Sequence, residues 1–431
     1  MKAALELDTQ MYSKIKQGEH CKKISISKGM EITKLKAFIQ SANINFLCGS
    51  GLSQPYLSTL GNIETWLTEL AKDEKNSTDL SKIIKASIYK EYFMKVALPN
   101  YNPDKENKDY KIVIDGYKNF LTIWNNMINK RANRLLSKQV NIFTTNIDTL
   151  VENAAELAQI EFNDGFKGSI KQVFDESNFQ KSYNKTSLHF QNVSEIPVFN
   201  YLKMHGSINW RTDGDIISND FALNTVNETN IEFQKIDSKY FINCIKSDID
   251  GKEVSQLYSE IKTKADKLIS DNRKLKFNKL YANLFKTYEK LIIVNPTKQK
   301  FIESVIELHF YELMRIYSNS LEKENSILFV MGFSFADEHI AKITLRAANT
   351  NPTLLVVIFA FDDNQEVKYN EILKPTPNNN IIIITPTKFK KVNKEDESKK
   401  DKISKITNFD LATINLVFEL INSDIPTNYG K

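Results

Sequence analysis

His205 differs from the other four histidines of the chain because it lies between the predicted strand Val198–Met204 and Gly206. Imidazole exchanges a proton near neutral pH, so a histidine at the end of a buried strand can act as a general base. The adjacent glycine leaves room for a ligand. A lone histidine in this position can also serve only the structure, and its residue type does not decide between these functions.

Two polar residues, Asn146 and Asp148, follow a second predicted strand, Val140–Phe143. An asparagine side chain carries both donors and an acceptor, so it can bind an amide, a ribose hydroxyl or a water molecule. A carboxylate at position 148 can accept a hydrogen bond from a carboxamide. The same residue types also close turns and cap helices, and a helix is predicted to begin at Asp148. Both interpretations stay open.

A glycine- and serine-containing segment follows a third predicted strand. It consists of Gly49, Ser50, Gly51, Leu52 and Ser53. Two glycines at a strand end let a backbone approach a diphosphate closely, and the serine at its end adds a hydroxyl. The residue after this segment is a glutamine, where the fingerprint of dinucleotide-dependent dehydrogenases has its third glycine. This difference argues against hydride transfer, and a simple tight turn is the alternative.

The fourth such segment contains Gly332 and Ser334, between the predicted strand Ile327–Met331 and a predicted helix. A glycine and a serine before a helix are typical of phosphate- or ribose-binding turns. Asp337 lies in the first turn of that helix, where it can contact a ligand or compensate the helix dipole. Lys298, in another strand-to-helix turn, is a weaker candidate for a phosphate contact.

Strands made of Val, Ile and Leu without alternation are typical of a parallel sheet that is buried on both faces. The carboxyl ends of such strands form the ligand crevice, so we expect the four segments to converge there. The predicted fold is α/β, with a Rossmann-like parallel sheet flanked by helices. Further strands are predicted at Leu291–Val294, Leu354–Phe361 and Ile381–Thr385, and a long helix at Lys300–Asn319.

Changes in composition divide the chain into three predicted parts. Residues 1–30 are an N-terminal extension, residues 31–386 form the domain with the sheet, and residues 387–431 form a charged, solvated loop followed by a C-terminal helix. Helical insertions at about 62–137 and 211–290 interrupt the alternation of strands and helices inside the domain.

The composition excludes several classes of protein. A net charge of +5 over 431 residues is mild and gives no support for direct nucleic-acid binding. Cys21, Cys48 and Cys244 are far apart, which excludes a Cys-x-x-Cys zinc knuckle, and no carboxylates cluster at metal-ligand spacing. The sequence lacks an apolar run of membrane-spanning length and the apolar core of a signal peptide. We expect a cytoplasmic protein that needs no metal ion.

Taken in order, the four segments resemble the motifs of the sirtuin superfamily. Sirtuins carry a Gly-Ala-Gly-x-Ser loop, a Thr-Gln-Asn-Ile-Asp strand end, a His-Gly pair and a Gly-Thr-Ser strand end. The resemblance implies His205, Asn146 and Asp148 as catalytic residues. It also implies that NAD⁺ is bound by a second set of residues, namely Gly49, Ser50, Gly51, Ser53, Thr145, Gly332, Ser334 and Asp337.

The chain departs from the protein deacylases of this superfamily, because it lacks the four-cysteine zinc module and an acyl-lysine groove motif. The segment at 332–340 instead looks like that of sirtuin-like effectors of bacterial antiphage defence. Those effectors hydrolyse NAD⁺, and they commonly act with a HerA-type ATPase or a short Argonaute. The resemblance therefore implies cleavage of NAD⁺ to nicotinamide and ADP-ribose by a homo-oligomer that acts with such a partner.

Two other functions stay open at this point. The chain can be a regulatory module that binds NAD⁺ or ADP-ribose without turnover, with His205 vestigial. It can also be an NAD-dependent protein deacylase, which the missing cysteines argue against. Incubation of the pure protein with NAD⁺ separates the first from an enzyme, and an acetyl-lysine peptide tests the second.

Overall fold

The computed structural model describes residues 30–59, 70, 79–131, 136–189, 193–214, 216–243, 254–294, 305–394 and 398–423. Almost all of the predicted N-terminal extension and the turn with Lys298 lie outside these ranges. Within them, no helix is both long enough and apolar enough to cross a membrane.

Strand pairing divides the strands into one large sheet, a four-stranded antiparallel sheet and a two-stranded hairpin. The strands are β1 (Asn43–Cys48), β2 (Gln139–Thr144), β3 (Phe162–Asn163), β4 (Phe166–Lys167), β5 (Val173–Phe174), β6 (Asn184–Thr186), β7 (Val193–Glu195), β8 (Val198–Lys203), β9 (Trp210–Asp213), β10 (Ile216–Asn219), β11 (Ser326–Met331), β12 (Leu355–Phe359) and β13 (Ile381–Ile384). The large sheet has seven strands in the order β13-β12-β11-β1-β2-β8-β3, and all neighbours are parallel. The predicted α/β, Rossmann-like architecture is confirmed.

Helices cover both faces of this sheet. They are α1 (Ile32–Ser41), α2 (Asp79–Tyr92), α3 (Lys108–Asn129), α4 (Leu150–Ala158), α5 (Asn224–Gln234), α6 (Val254–Asp271), α7 (Phe277–Tyr288), α8 (Val305–Glu322), α9 (Glu338–Thr350), α10 (Gln365–Leu373), α11 (Pro386–Val392), α12 (Lys400–Ser404) and α13 (Leu411–Ser423). Successive strand residues point to opposite faces, so Phe46 and Phe329 contact α3 and α13 while Leu47 and Val330 lie on the side of α8 and α9. Trp124 of α3 packs edge-on against Phe46, with 4.8 Å between ring centroids.

The helical insertions do not form two separate units. Helices α2, α5, α6 and α7 share one hydrophobic core, which combines residues from both predicted insertions. Helix α3 belongs instead to the core against the sheet, where it packs on α4 and α13. The region after His205 also begins with the β9–β10 hairpin before its first helix. The stretch after residue 253, which the sequence predicted to be largely helical, forms α6 and α7.

Two predicted elements differ from the structure, and one helix was not predicted. Leu291–Val294 does not form a strand of the sheet, since within the described residues its only ladder contact is one bridge from Ile293 to Gly206. Helix α10 was not predicted between β12 and β13. The predicted charged loop contains most of α11 and all of α12. Thr385 caps α11, and Pro386 takes its first position. The lysines there suggested a loop, but Phe389 buries one face of this helix.

A row of four hydrogen-bonded asparagine side chains crosses the large sheet. The Nδ2 group of Asn163 donates to the Oδ1 atom of Asn200 at 2.9 Å, that of Asn200 donates to Asn141 at 3.0 Å, and that of Asn141 donates to Asn45 at 3.0 Å. Asn45 in turn donates to the carbonyl oxygen of Ile327 at 3.3 Å. Asparagine is depleted in strands, and buried amides require partners, which the row supplies.

We expect the substitution Asn200→Ala to lower the free energy of unfolding by about 1–3 kcal/mol, because it removes the donor to Asn141 and an acceptor for Asn163. Denaturant titration followed by tryptophan fluorescence measures the change. Asn184 lies on the exposed hairpin strand β6, so Asn184→Ala is a control that should change stability by less than about 0.5 kcal/mol. Equal effects of the two substitutions would contradict a stabilising function of the row.

Candidate functional site

The candidate site lies at the carboxyl ends of the strands, where the strand order reverses. The chain continues from β1 to β2 on one side, whereas β11 pairs with β1 on the other side. Ligands of open α/β sheets bind in the crevice at such a switch point. The segments after β1, β2, β8 and β11 all reach this crevice, as the sequence predicted.

A pocket of about 400 Å³ opens at this point. Of the predicted site residues, those that line it are Ser50, Gly51, Thr145, His205, Gly332, Ser334 and Asp337. Residues that were not among the predicted site residues complete the lining, namely Leu52, Gln54, Thr59, Phe333, Ala336, Phe359, Phe361, Gln365, Tyr369 and Phe409. No sequence signal distinguished these aromatic residues from ordinary core residues.

A second pocket, of about 40 Å³, shares Ser50 and Thr145 with the larger one. It is lined by Asn146, Asp148 and Ser53, so these predicted residues lie beside the large pocket and not in it. Gly49 lines neither of the two pockets. The structure thus brings the predicted residues together, except Gly49, around two adjoining pockets.

The glycines after β1 and β11 let the two loops pack against each other. The amide of Gly51 donates to the carbonyl oxygen of Gly332 at 3.0 Å. A Cβ atom would lie 2.4 Å from that oxygen at Gly49 and 2.9 Å from it at Gly51. Gly332 has a φ of +59°, where side chains are disfavoured. The predicted reason for these glycines was approach of a diphosphate, but the contact between the loops already requires them.

Asn146 is buried, and part of its side chain lacks a partner. Its Nδ2 group donates to the carbonyl oxygen of Gly49 at 3.3 Å and to the hydroxyl of Ser53 at 3.4 Å. Its Oδ1 atom is buried without a hydrogen bond. A buried acceptor without a donor is unfavourable by about 1–3 kcal/mol. Since the residue lines the small pocket, a ligand hydroxyl or amide that reaches it would supply this donor.

Asp148 lies beside Asn146 and is almost fully buried, with 2% of its surface exposed. Its Oδ1 atom accepts from the amide of Leu150, the first residue of α4, at 3.1 Å. The N-cap residue of this helix is Thr149, so the helix does not begin at Asp148 as predicted. Its Oδ2 atom accepts from the Ser53 hydroxyl at 3.2 Å. Burial raises the pKa of the Asp148 carboxyl above its ordinary value, and the positive charge of Lys203 partly opposes this.

A buried ion pair that the sequence did not indicate supports the ends of β2 and β8. The Nζ atom of Lys203 lies 2.6 Å from the Oε1 atom of Glu152 and donates to the carbonyl oxygen of Asp148 at 2.5 Å. It also donates to the hydroxyl of Ser207 at 2.6 Å. One ammonium group therefore connects the strand end that carries Asp148 to the turn after His205. The sequence feature that could have indicated this ion pair is a lysine at the last position of a buried strand.

His205 is paired with Asp337 across the pocket. Its Nε2 atom lies 2.9 Å from the Oδ2 atom of Asp337, and both side chains are mostly buried. Gly206 has a φ of +74°, and a Cβ atom there would lie 2.1 Å from the carbonyl oxygen of Ile292. The prediction that this glycine leaves room for a ligand is therefore wrong, because the 291–294 segment occupies that space.

Comparison with known proteins adds no assignment to this geometry. Within the described ranges, no group of three or more His, Cys, Asp or Glu side chains is arranged to hold a metal ion. No protein-family model matches the chain, and no curated protein matches it.

Proposed function

We propose that the protein is an NAD⁺ glycohydrolase that cleaves NAD⁺ to nicotinamide and ADP-ribose. The observation that supports this most is the convergence of a histidine–aspartate pair and serine-containing loops on one crevice, next to a buried amide oxygen without a donor. A dinucleotide has riboses and phosphates for these loops, two flat bases for the aromatic side chains, and a carboxamide whose N–H groups suit Asn146.

The proposed reaction breaks the bond between C1′ of the ribose and the pyridinium nitrogen. The leaving nicotinamide takes the electron pair and becomes neutral, so no general acid is required. The transition state has oxocarbenium character, as in other glycosyl hydrolyses. Asn146 and Asp148 hold the carboxamide and the reacting ribose or water. His205 accepts the proton of the attacking water or of a ribose hydroxyl.

Uncontrolled hydrolysis of NAD⁺ is toxic to a cell, so the proposal includes control by assembly. In this proposal the protein depletes NAD⁺ during antiphage defence as a homo-oligomer with a HerA-type ATPase or, alternatively, a short Argonaute. The helical insertions at about 62–137 and 211–290 and the C-terminal helix α13 are the candidate subunit contacts. A monomer with full activity in size-exclusion chromatography would contradict control by assembly.

The central experiment incubates the purified protein with NAD⁺, alone and together with the product of the neighbouring gene. We expect equimolar release of nicotinamide and ADP-ribose, measured by liquid chromatography. Binding of NAD⁺ without release of nicotinamide in either sample would indicate the regulatory module instead. Removal of acetyl groups from an acetyl-lysine peptide would indicate a deacylase.

A further inference from the structure

We propose that Asp337 fixes the tautomer of His205, so that Nδ1 and not Nε2 is the nitrogen that accepts the proton. As a statement about the reaction, this rests on the proposed function. As a statement about the protonation of the ring, it rests only on the contacts of Asp337, and it can be tested without any substrate.

Asp337 has two structural functions at once. Its Oδ1 atom caps α9 by accepting from the amides of His339 at 2.8 Å and Ile340 at 3.2 Å. Its Oδ2 atom faces the Nε2 atom of His205 at 2.9 Å. Because two backbone amides hold one carboxylate oxygen, the direction of the other oxygen is determined by a helix of 13 residues. The partner of His205 is therefore held in place before any ligand binds.

The chemistry of the capping group determines which ring nitrogen is protonated. An ionised carboxylate can only accept hydrogen bonds, and the N-terminus of a helix favours its negative charge. In the neutral imidazole, the hydrogen must then reside on Nε2, the nitrogen that faces Asp337. The free lone pair is left on Nδ1. When Nδ1 takes a proton from water or a ribose hydroxyl, the imidazolium that forms is stabilised by the same carboxylate.

The helix cap makes the substitution Asp337→Asn informative. Capping of α9 requires an oxygen toward the amides of His339 and Ile340. The amide of the new asparagine must therefore turn its NH₂ group toward the Nε2 atom of His205. A donor at this position requires a lone pair on Nε2 and places the ring hydrogen on Nδ1, which removes the proposed base. Asn caps helices about as well as Asp, so the fold is retained.

The substitution Asp337→Ser is the matched comparison. Serine also caps helices, but its shorter side chain does not reach the imidazole, so neither tautomer is imposed. The relative effects of the two substitutions therefore distinguish a capping function of Asp337 from control of the His205 tautomer. If Asp337 only caps α9, both variants should behave like the wild type. If it fixes the tautomer, the closer isostere, asparagine, should be the more harmful.

The test is long-range ¹H–¹⁵N correlation spectroscopy of protein labelled with ¹⁵N-histidine, recorded with rising pH until the ring of His205 is neutral. The spectrum of H205Q identifies the signals of this ring among the five histidines. We expect protonated Nε2 in the wild type, protonated Nδ1 in D337N and a mixture in D337S. Protonated Nδ1 in the neutral wild-type ring, or the wild-type pattern in D337N, would overturn the proposal.

Enzyme activity gives the second measurement. We expect D337N to reduce NAD⁺ cleavage by about 10²–10⁴-fold and D337S to reduce it less, because a correctly placed base contributes about that much. D337N activity equal to or above that of D337S would contradict the tautomer as the cause. If the wild type cleaves no NAD⁺, the proposed function fails, whereas the ring nitrogens still decide the proposal about Asp337.

Discussion

Replacing His205 or Asn146 by alanine should reduce NAD⁺ cleavage by at least about 10²-fold. Loss of a positioned general base costs about 10²–10⁴-fold, which applies to His205. Loss of one positioned polar contact to the reacting groups costs about 10²–10³-fold, which applies to Asn146. His205 lines the large pocket, and Asn146 lines the small pocket beside it. Neither side chain belongs to the hydrophobic cores, so we expect both variants to fold. The initial rate of nicotinamide release measures the effect, with circular dichroism as a check of folding.

His309 provides a matched control for this experiment. Its Nδ1 atom contacts the Oε1 atom of Glu176, so it is a second histidine paired with a carboxylate, and the exposed fraction of its side chain is 16%, as for His205. It does not line either pocket. We expect His309→Ala to retain wild-type turnover. The assignment fails if the alanine variant of His205 or Asn146 keeps the wild-type rate.

The substitution Asp148→Asn should reduce activity by about 10²-fold, which is typical for loss of one electrostatic contact to a transition state, and it should make the protein more stable at neutral pH. Burial raises the pKa of the Asp148 carboxyl, so the folded protein holds this proton more tightly than the unfolded chain does. Stability is therefore lost as the pH rises through the raised pKa. An asparagine has no charge to bury. Its oxygen can accept from Leu150, and its NH₂ group can donate to Ser53.

The pH dependence distinguishes this explanation from a general effect of the substitution. The stabilisation by D148N should be present at pH 7 and should disappear below the ordinary aspartate pKa of about 3.9, where both folded and unfolded chains are protonated. Denaturant titrations at pH 7 and at the lowest pH that permits folding measure it. Asp115 is an exposed residue of α3, so D115N serves as the control. A less stable D148N protein at pH 7 would contradict the explanation.

The sequence predicted the sheet well, and it predicted that the four segments meet at one end of the sheet, because both depend on local patterns. Uninterrupted runs such as Ile327–Met331 predict buried parallel strands, and the polar residues that follow them must then meet at one edge. The positions of Asn146 and His205 required only this rule. Whether these residues bind and cleave NAD⁺ stays a prediction.

The contacts that the sequence did not predict join segments that are distant along the chain. Asp337 lies 132 residues from His205, and no local pattern indicates that the cap of one helix also holds the imidazole. The sequence suggested that Gly206 gives a ligand access to the site. The group that faces Gly206 is the carbonyl oxygen of Ile292, which lies far along the chain and could not be inferred from the local sequence. The lysine content near residue 390 concealed a helix whose apolar face depends on one phenylalanine, Phe389.

The asparagine row also affects the register of the strands that end at the candidate site. If β1, β2 and β8 paired one residue out of step, their side chains would exchange faces, and each amide would be placed among apolar groups without its partner. Every such amide costs about 1–3 kcal/mol, so misaligned pairings of these interchangeable apolar strands are disfavoured. The same three strands end in the loops with Gly49, Asn146 and His205. By fixing the register of these strands, the asparagine side chains determine that Gly49, Asn146 and His205 lie near one another at the carboxyl ends of the strands.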